Sequence, residues 1–300
     1  MKKEEQFDDA KLIEEIESLE QINEKDFSLR TFLYENRRLI IGILAFALLL
    51  TIISLIFRDE ISTFDNFVYN NIAKTINPTL TNIFKVFTNI GAAPFLITLT
   101  VILTLAIKKR RYGIYIIYNL IFSSLGNYLL KYIFERQRPD VNRLIPESGY
   151  SFPSGHSTVS MAFYGFLIYL IYLNVKNKKL KAFLITLLSC TIVMIGVSRI
   201  YLGVHYTSDV CGGFLLSICY LTIFTKVVKE INIKLDNKEK LIKLEKIKRL
   251  REKTKEKRLK KNEERRIKKE NRKESSKKGT TKKASNKKGS RKERTTKENS

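Results

Sequence analysis

The chain of 300 residues is 44% hydrophobic and carries a formal net charge of +25 at pH 7. The hydrophobic residues are grouped in long runs, which excludes a wholly soluble protein, and most of the excess positive charge follows residue 226. The charge is therefore a property of the C-terminal segment and not of the hydrophobic middle.

The first 36 residues form a polar segment that we expect to be cytoplasmic. Leu12, Ile16 and Leu19 follow one another at helical spacing, which predicts a short amphipathic helix. The run at 39–57 carries no charge and begins behind an acidic segment, so it predicts a retained membrane anchor and not a cleaved signal peptide.

The hydrophobic middle, residues 37–228, predicts an all-α, polytopic membrane protein with about six transmembrane helices in a bundle. Each run approaches the roughly 20 residues that a helix needs to cross a bilayer. The predicted spans are 39–57, 88–107, 113–134, 156–175, 182–202 and 207–227.

The segment 61–87, between the first two spans, has apolar residues at intervals of three to five positions. This pattern predicts a helix that lies in the outer membrane interface, where it could line a lipid entrance. An ordinary connecting helix packed on the bundle is the alternative. The apolar residues are Phe64, Phe67, Val68, Ile72 and Ile76.

Basic residues set the expected orientation in the membrane. The runs at 108–111 and 176–181 and the tail after residue 226 occupy alternate breaks between the spans, and short basic loops stay in the cytoplasm. Arg37 and Arg38 precede the first span. We therefore expect a multi-pass protein of the cell membrane with both termini cytoplasmic.

Residues 229–300 predict a basic cytoplasmic tail. Apolar residues among alternating Lys and Glu predict helix to about residue 272, and the mixture of Lys, Ser, Thr, Gly and Asn beyond it predicts disorder. Beside a membrane, such a tail is expected to contact anionic lipid headgroups, and nucleic acid is not an expected partner.

A first polar cluster ends the third span. Lys131 and Arg138 are two helical turns apart, so both cations can lie on one face, and Pro139 disfavours helix just before it. The alternative is that both side chains only extend to the lipid headgroups.

A second polar cluster, Ser154-Gly155-His156, begins the fourth span. Gly155 allows close backbone approach, and the N–H groups at a helix start bind anions. The alternative is a simple turn in which Ser154 caps the helix.

A third polar cluster comprises Arg199, His205 and Asp209. Asp209 lies one helical turn after His205, so its carboxylate can reach the imidazole and fix its tautomer. A structural His–Asp pair without chemistry is the alternative.

All three clusters lie at one predicted membrane depth. From His156 to Lys176, and from His205 to Lys226, a helix rises about 30 Å, which is one hydrocarbon thickness from the basic cytoplasmic ends. Ionisable groups near lipid are costly and usually functional. Cations for an anion, a His oriented by Asp and a second His predict phosphoryl transfer at the extracytoplasmic ends of the helices.

The ordered motifs resemble the signature of the type 2 phosphatidic acid phosphatase family, which is related to vanadium haloperoxidases. They are Lys131-x6-Arg138-Pro139, Pro153-Ser154-Gly155-His156 and Ser198-Arg199-x5-His205-x3-Asp209. The resemblance covers about residues 60–227, and this sequence departs from it at Thr207, where relatives commonly have proline.

The resemblance implies a role for each matching residue. His205 would attack phosphorus and become a phosphohistidine, Asp209 would orient it, and His156 would protonate the departing oxygen. No metal or other cofactor is implied. The phosphate would be held by Lys131, Arg138, Ser154, Gly155 and Arg199.

The implied enzyme is a metal-independent lipid phosphate phosphatase. Its expected substrate is phosphatidylglycerophosphate, phosphatidic acid or undecaprenyl diphosphate, of which the last would recycle a carrier for cell-wall synthesis. The alternative function is a non-catalytic membrane anchor whose basic tail binds anionic lipid or nucleic acid.

Overall fold

A computed structural model describes residues 29–295, with side chains described for 36–266, and this part of the chain has helices and no strands. The amphipathic helix predicted around Leu12, Ile16 and Leu19 lies outside the described residues. The helices are α1 (Leu29–Phe57), α2 (Ser62–Ala73), α3 (Pro78–Ile90), α4 (Ala93–Ala106), α5 (Arg110–Phe134), α6 (Gly155–Asn174), α7 (Lys178–Tyr201) and α8 (Thr207–Thr295).

Five of the described helices, α1, α5, α6, α7 and α8, are long and apolar enough to cross a membrane. α3 and α4 pass the same test together as a pair bent by 51°, which gives up to six spans. The predicted all-α membrane bundle is confirmed. The predicted span at 88–107 is corrected to this bent pair, because Gly91 ends α3 and Pro94 starts α4, where its ring is tolerated only in the first turn.

The segment after α1, residues 61–87, is two helices and not one. α2 exposes Phe64 and Phe67, as the interfacial prediction expects, but Asn77 and Pro78 then start α3, where the Asn77 side chain accepts the N–H of Leu80. Phe84 of α3 packs against the ring of Tyr201 at the end of α7, with centroids 4.3 Å apart. The second half therefore follows the alternative, a connecting helix packed on the bundle.

α6 lies at the centre of the bundle and packs against α5 and α7. Its side chains Phe163 and Phe166 are buried together with Ile116 of α5 and Ile195 of α7. The outward faces of α1, α4 and α5 instead expose many large apolar side chains, which suits contact with lipid tails.

The last helix extends further than the sequence predicts. It continues to Thr295, whereas helix was expected to end near residue 272 and disorder to follow. About half of residues 273–295 are Lys, Arg or Glu, which have high helix propensity, whereas the Gly, Ser, Thr and Asn among them do not, so propensity alone does not explain the longer helix. Two compact units divide the chain, one ending at Lys229 and the other beginning at Glu230.

Close packing of α7 on α8 depends on a glycine. A Cβ atom added at Gly196 would lie 2.5 Å from Cζ of Phe214, whereas one added at Gly126 of α5 would meet nothing within 4 Å. We expect Gly196→Ala to lower the free energy of unfolding by about 1–3 kcal/mol, because overpacking forces neighbours to move. The midpoint of thermal unfolding in detergent micelles measures this.

Gly126→Ala is the matched control, since both glycines are inside a helix. It should leave the unfolding midpoint unchanged or raise it, because alanine favours helix over glycine by about 0.5–1 kcal/mol. Equal midpoints for the two variants would contradict the assigned α7–α8 packing.

Candidate active site

Four helix ends meet at one end of the bundle. α5 and α7 finish there, and α6 and α8 begin there, so residues 135–154 and 202–206 form two neighbouring loops. The N–H of Leu144 in the first loop donates to the carbonyl of Leu202 in the second, over 3.1 Å. Gly203 completes the second loop with a φ of 71°, a conformation that favours glycine.

His205 and Asp209 are in contact at the start of α8. The Asp209 carboxylate reaches back to accept the backbone N–H of Tyr206 at 2.9 Å, as acidic residues in a first helical turn often do. The same oxygen, Oδ2, lies 3.3 Å from Nδ1 of His205 and accepts the hydroxyl of Ser151. The predicted pairing is thus present in the structure, with helix beginning at Thr207.

The partners of His205 define its tautomer. NH1 of Arg138 lies 3.2 Å from Nε2 of the imidazole, and a guanidinium group only donates hydrogen bonds. Nε2 is therefore the acceptor, and Nδ1 carries the proton that it donates to Asp209. This tautomer directs an unprotonated nitrogen toward the arginine.

The surroundings of His205 favour its neutral imidazole form. Burial lowers its pKa to about 4, against the opposite effects of the hydrogen bond and charge of Asp209. A neutral Nε2 retains its lone pair, which is what a nucleophile requires.

Backbone carbonyls hold Arg138 in place. Its Nε and NH2 donate to Gly149 and Ser148, both over 2.9 Å, and NH1 donates to Val204 over 2.8 Å. The guanidinium thus ties the two loops together and has one fixed orientation beside His205.

Arg199 is fully buried near the end of α7. NH1 donates to the hydroxyl of Thr88, at the end of α3, over 2.6 Å, and NH2 donates to Glu147 over 2.5 Å. Among the described residues, its Nε finds no acceptor. A buried donor of this kind is unusual and is suited to a ligand oxygen.

Glu147 lies between the two arginines. Its Oε2 binds Arg199, and its Oε1 lies 3.5 Å from NH2 of Arg138. Burial raises the pKa of Glu147, but the charge and hydrogen bond of Arg199 and the charge of Arg138 outweigh burial, so the pKa is lowered. An ionised carboxylate thus occupies the space between two predicted phosphate ligands.

Lys131 and Gly155 lie on facing helices. Nζ of Lys131 donates to the carbonyl of Tyr150 over 2.6 Å. A Cβ atom added at Gly155 would lie 3.1 Å from Oδ1 of Asn127, one turn before Lys131, so a side chain there would crowd α5. Asn127 also donates to the carbonyl of Pro153 over 3.3 Å, which holds the start of α6.

Ser154 occupies the N-cap position of α6, but its side chain makes no capping hydrogen bond. Its backbone N–H donates to the carbonyl of Asp209 over 3.1 Å, and its hydroxyl accepts from Ser157 over 3.0 Å. The alternative in which the Ser154 side chain caps the helix is therefore wrong. The serine instead ties the start of α6 to the start of α8.

An apolar groove of about 460 Å³ leads to His156. It passes the break between α3 and α4 and ends at the polar residues Lys131, Gly155 and His156. Its apolar lining comes from Leu96, Ile97, Leu120, Ile121 and Val159. The groove joins the hydrophobic surface of the bundle to the polar end.

All eight residues predicted for the site lie around these four helix ends. Sequence reasoning did not find Glu147, Ser151 or Thr88, nor the pair Asp65 and Arg136. Glu147, Ser151 and Arg136 lie in or next to the motif segments of the sequence, and this position could have indicated that they belong to the site. Thr88 and Asp65 are far from the motifs, and nothing in the sequence marks them.

Fold and site together define a polytopic helical membrane protein with two histidines and two buried arginines, Arg138 and Arg199, at one end of its bundle. Residues 112–233 match the PAP2 superfamily. The chain is 34% identical over 148 residues to phosphatidylglycerophosphatase B of Bacillus subtilis, which covers 47% of this chain and 71% of that relative. The chain belongs to the PAP2 superfamily.

Two further proteins are similar. Lipid A 1-phosphatase of Rhizobium johnstonii is 31% identical over 126 residues, which covers 39% of this chain and 47% of the relative. The crystal structure of a transmembrane PAP2-type phosphatidylglycerolphosphate phosphatase from Bacillus subtilis has a TM-score of 0.59 at 28% identity. That match covers 63% of this chain and 96% of the crystallised one.

Glu147 should compete with an oxyanion for Arg138 and Arg199. We expect Glu147→Gln to tighten the binding of inorganic phosphate about tenfold, or ~1.4 kcal/mol, because a negative charge between the arginines is removed. Isothermal titration calorimetry of the detergent-solubilised protein measures the dissociation constant.

Asp140→Asn is the matched control, because Asp140 is an exposed carboxylate of the same loop. Its phosphate affinity should equal that of the wild type. Weaker phosphate binding by Glu147→Gln would show that the carboxylate holds the arginines in place and does not compete.

Proposed function

We propose that the protein hydrolyses a phosphomonoester or diphosphate group of a membrane lipid. The observation that carries this proposal is the apolar groove that ends at Lys131 and His156. A hydrocarbon chain in the groove would leave its phosphate at the polar end, near the buried arginines. A soluble phosphate ester would have no use for the groove.

The proposed reaction begins at Nε2 of His205. The nitrogen attacks phosphorus, an N–P bond forms and the P–O bond to the lipid breaks, while His156 gives its proton to the departing oxygen. Water then attacks phosphorus and loses a proton to His156, and the N–P bond breaks, so that inorganic phosphate leaves and Nε2 of His205 regains its lone pair. Asp209 keeps the proton of His205 on Nδ1, so that Nε2 stays unprotonated beside Arg138 and can attack a phosphate held there.

Three cations are available for the charge that develops on the phosphate oxygens. They are Lys131, Arg138 and Arg199. Nε of Arg199 is in addition a buried donor that has no acceptor within the described part of the chain. The N–H of Gly155, at the start of α6, adds a backbone donor. With this charge supplied by side chains, we propose a reaction that does not depend on a metal.

The substrate class follows from the groove and from the relatives. The similar proteins are named for phosphatidylglycerophosphate and for lipid A, both of which are lipids with a phosphate headgroup. We propose phosphatidylglycerophosphate, phosphatidic acid or undecaprenyl diphosphate as the substrate. All three join a phosphate headgroup to one or more long hydrocarbon chains.

A phosphate-release assay with these three lipids in detergent micelles tests the proposed function. We expect release from at least one lipid, with and without EDTA, and a loss of at least about 1000-fold in His205→Ala, because the covalent step then has no nucleophile. Inorganic vanadate should inhibit the wild type.

Asp140→Asn is the control for effects of expression and purification, and it should release phosphate at the wild-type rate. Substantial turnover by His205→Ala would remove His205 as the nucleophile, and loss of activity in EDTA would contradict the metal-independent reaction. No release from any lipid would favour the non-catalytic anchor.

We also propose that the basic tail lies in the cytoplasm and contacts anionic lipid, with the active site on the other side of the membrane. The support is the excess of Lys and Arg after residue 226 and in alternate loops. A reporter fused after Ser300 should then report the cytoplasm. Truncation after Lys240 should weaken binding to anionic vesicles and leave turnover in neutral micelles unchanged.

An extracytoplasmic signal from the reporter would overturn the orientation. Vesicle binding that survives the truncation would show that the tail is not the lipid-binding element.

A further inference from the structure

A buried carboxylate outside the predicted site lies on α2. Asp65 is 1% exposed, although the helix that carries it exposes Phe64 and Phe67 on its other side. Its Oδ1 accepts the N–H of Ser208 over 2.8 Å, and its Oδ2 accepts the hydroxyl of Ser208 over 2.6 Å. Asp65 thus binds the first turn of α8, directly beside Asp209.

Arg136 joins Asp65 to Asp209. Its NH2 donates to Oδ2 of Asp65 over 2.9 Å, and its NH1 donates to Oδ1 of Asp209 over 2.7 Å. The guanidinium carbon lies 4.2 Å from the ring centroid of Tyr206, so the group is also stacked on an aromatic face. One planar cation therefore bridges two buried carboxylates.

The two oxygens of Asp209 have separate partners. Oδ2 faces His205, Ser151 and the N–H of Tyr206, whereas Oδ1 is bound by Arg136. With both oxygens occupied, the carboxylate cannot turn away from the imidazole. Burying its charge would also cost several kcal/mol without a paired cation, and Arg136 supplies one.

The orientation of the Arg136 guanidinium depends in turn on its ion pair with Asp65. Without Asp65, NH2 would lose its carboxylate, and the arginine would be free to move with the loop that follows α5. Ser208 closes the arrangement, because its hydroxyl accepts from Arg136 over 2.7 Å and donates to Asp65.

We propose that Asp65 and Arg136 are positioning residues that hold Asp209, and through it His205, in the orientation needed for attack on phosphorus. This rests on the proposed function of His205 as nucleophile. In this arrangement α2, an outer helix of the bundle, belongs to the catalytic apparatus. Neither residue is expected to bind the phosphate, since NH1 and NH2 of Arg136 already donate to carboxylates and Asp65 is itself an anion.

Kinetics separate positioning from phosphate binding. For Arg136→Gln and Asp65→Asn we expect kcat to fall about 10–100-fold, as for other residues that orient a reactive histidine, with KM and the inhibition constant of vanadate changed less than about threefold. The double variant should lose little more than Arg136→Gln alone, because both residues act on one carboxylate. Arg136→Lys should recover only part of kcat, since an ammonium is not a planar fork.

The matched controls are Arg58→Gln and Asp59→Asn, which alter an exposed arginine and an exposed carboxylate just before α2. Both should keep the wild-type kcat. Thermal unfolding identifies variants that have lost their fold.

The contacts that run from Asp65 through Arg136 and Asp209 to His205 form what we call the relay. Histidine NMR tests the relay without any turnover, because the chain has only two histidines and their signals are easily told apart from the rest. The charged or titratable groups that act on His205 are Asp209 from α8, Arg199 from α7, His156 from α6 and Arg138 from the loop after α5. Arg136 of the same loop is bound to Asp209, and Asp65 of α2 is bound to Arg136. Removing a cation beside Asp209 should raise the pKa of His205 in Arg136→Gln. Removing an anion should lower it in Asp65→Asn.

Opposite shifts in the two variants together with the loss of kcat would establish the relay. Folded variants with the wild-type kcat and an unshifted His205 would overturn it, and a changed KM with an unchanged kcat would make Arg136 a phosphate ligand instead. If the wild type releases no phosphate, the proposed function fails, and the two pKa shifts still decide whether the relay exists.

Discussion

The buried carboxylate of Asp209 is the group on which the arrangement of the site depends. A carboxylate in a water-poor bundle is tolerated only when it is paired and hydrogen-bonded. Its partners come from separate parts of the chain: His205 and Tyr206 precede α8, whereas Ser151 and Arg136 belong to the loop after α5. Satisfying one charge therefore holds together the two loops that contain the chemistry.

The two buried arginines need an anion close by, because like charges repel. Arg138 and Arg199 would repel each other if nothing lay between them, and in the structure Glu147 lies there. The carboxylate offsets part of their positive charge, and it stands where a phosphate oxygen could make the same contacts. The resting protein thus keeps its cations oriented, and a substrate would exchange one anion for another.

The bent pair of helices borders the groove that reaches this polar end. Because α3 stops at Gly91 and α4 starts again at a proline, a groove opens beside His156 instead of a continuous helix surface. α2 adds an outer helix whose exposed side is aromatic and whose buried side carries Asp65. Membership of the PAP2 superfamily agrees with a bundle that brings lipid and phosphate chemistry together in this way.

The sequence by itself determined the helical membrane class and the residues of the three motifs. Span length is limited by bilayer thickness and helix rise, so positions such as Lys131, His156 and Arg199 could be assigned to one membrane depth without coordinates. The His205–Asp209 contact was also predictable, because residues four apart on a helix are neighbours. Only the tertiary structure decided which distant side chains complete the site, since Asp65 and Thr88 approach Arg136 and Arg199 through the packing of α2 and α3 against the bundle, and no local pattern encodes such contacts.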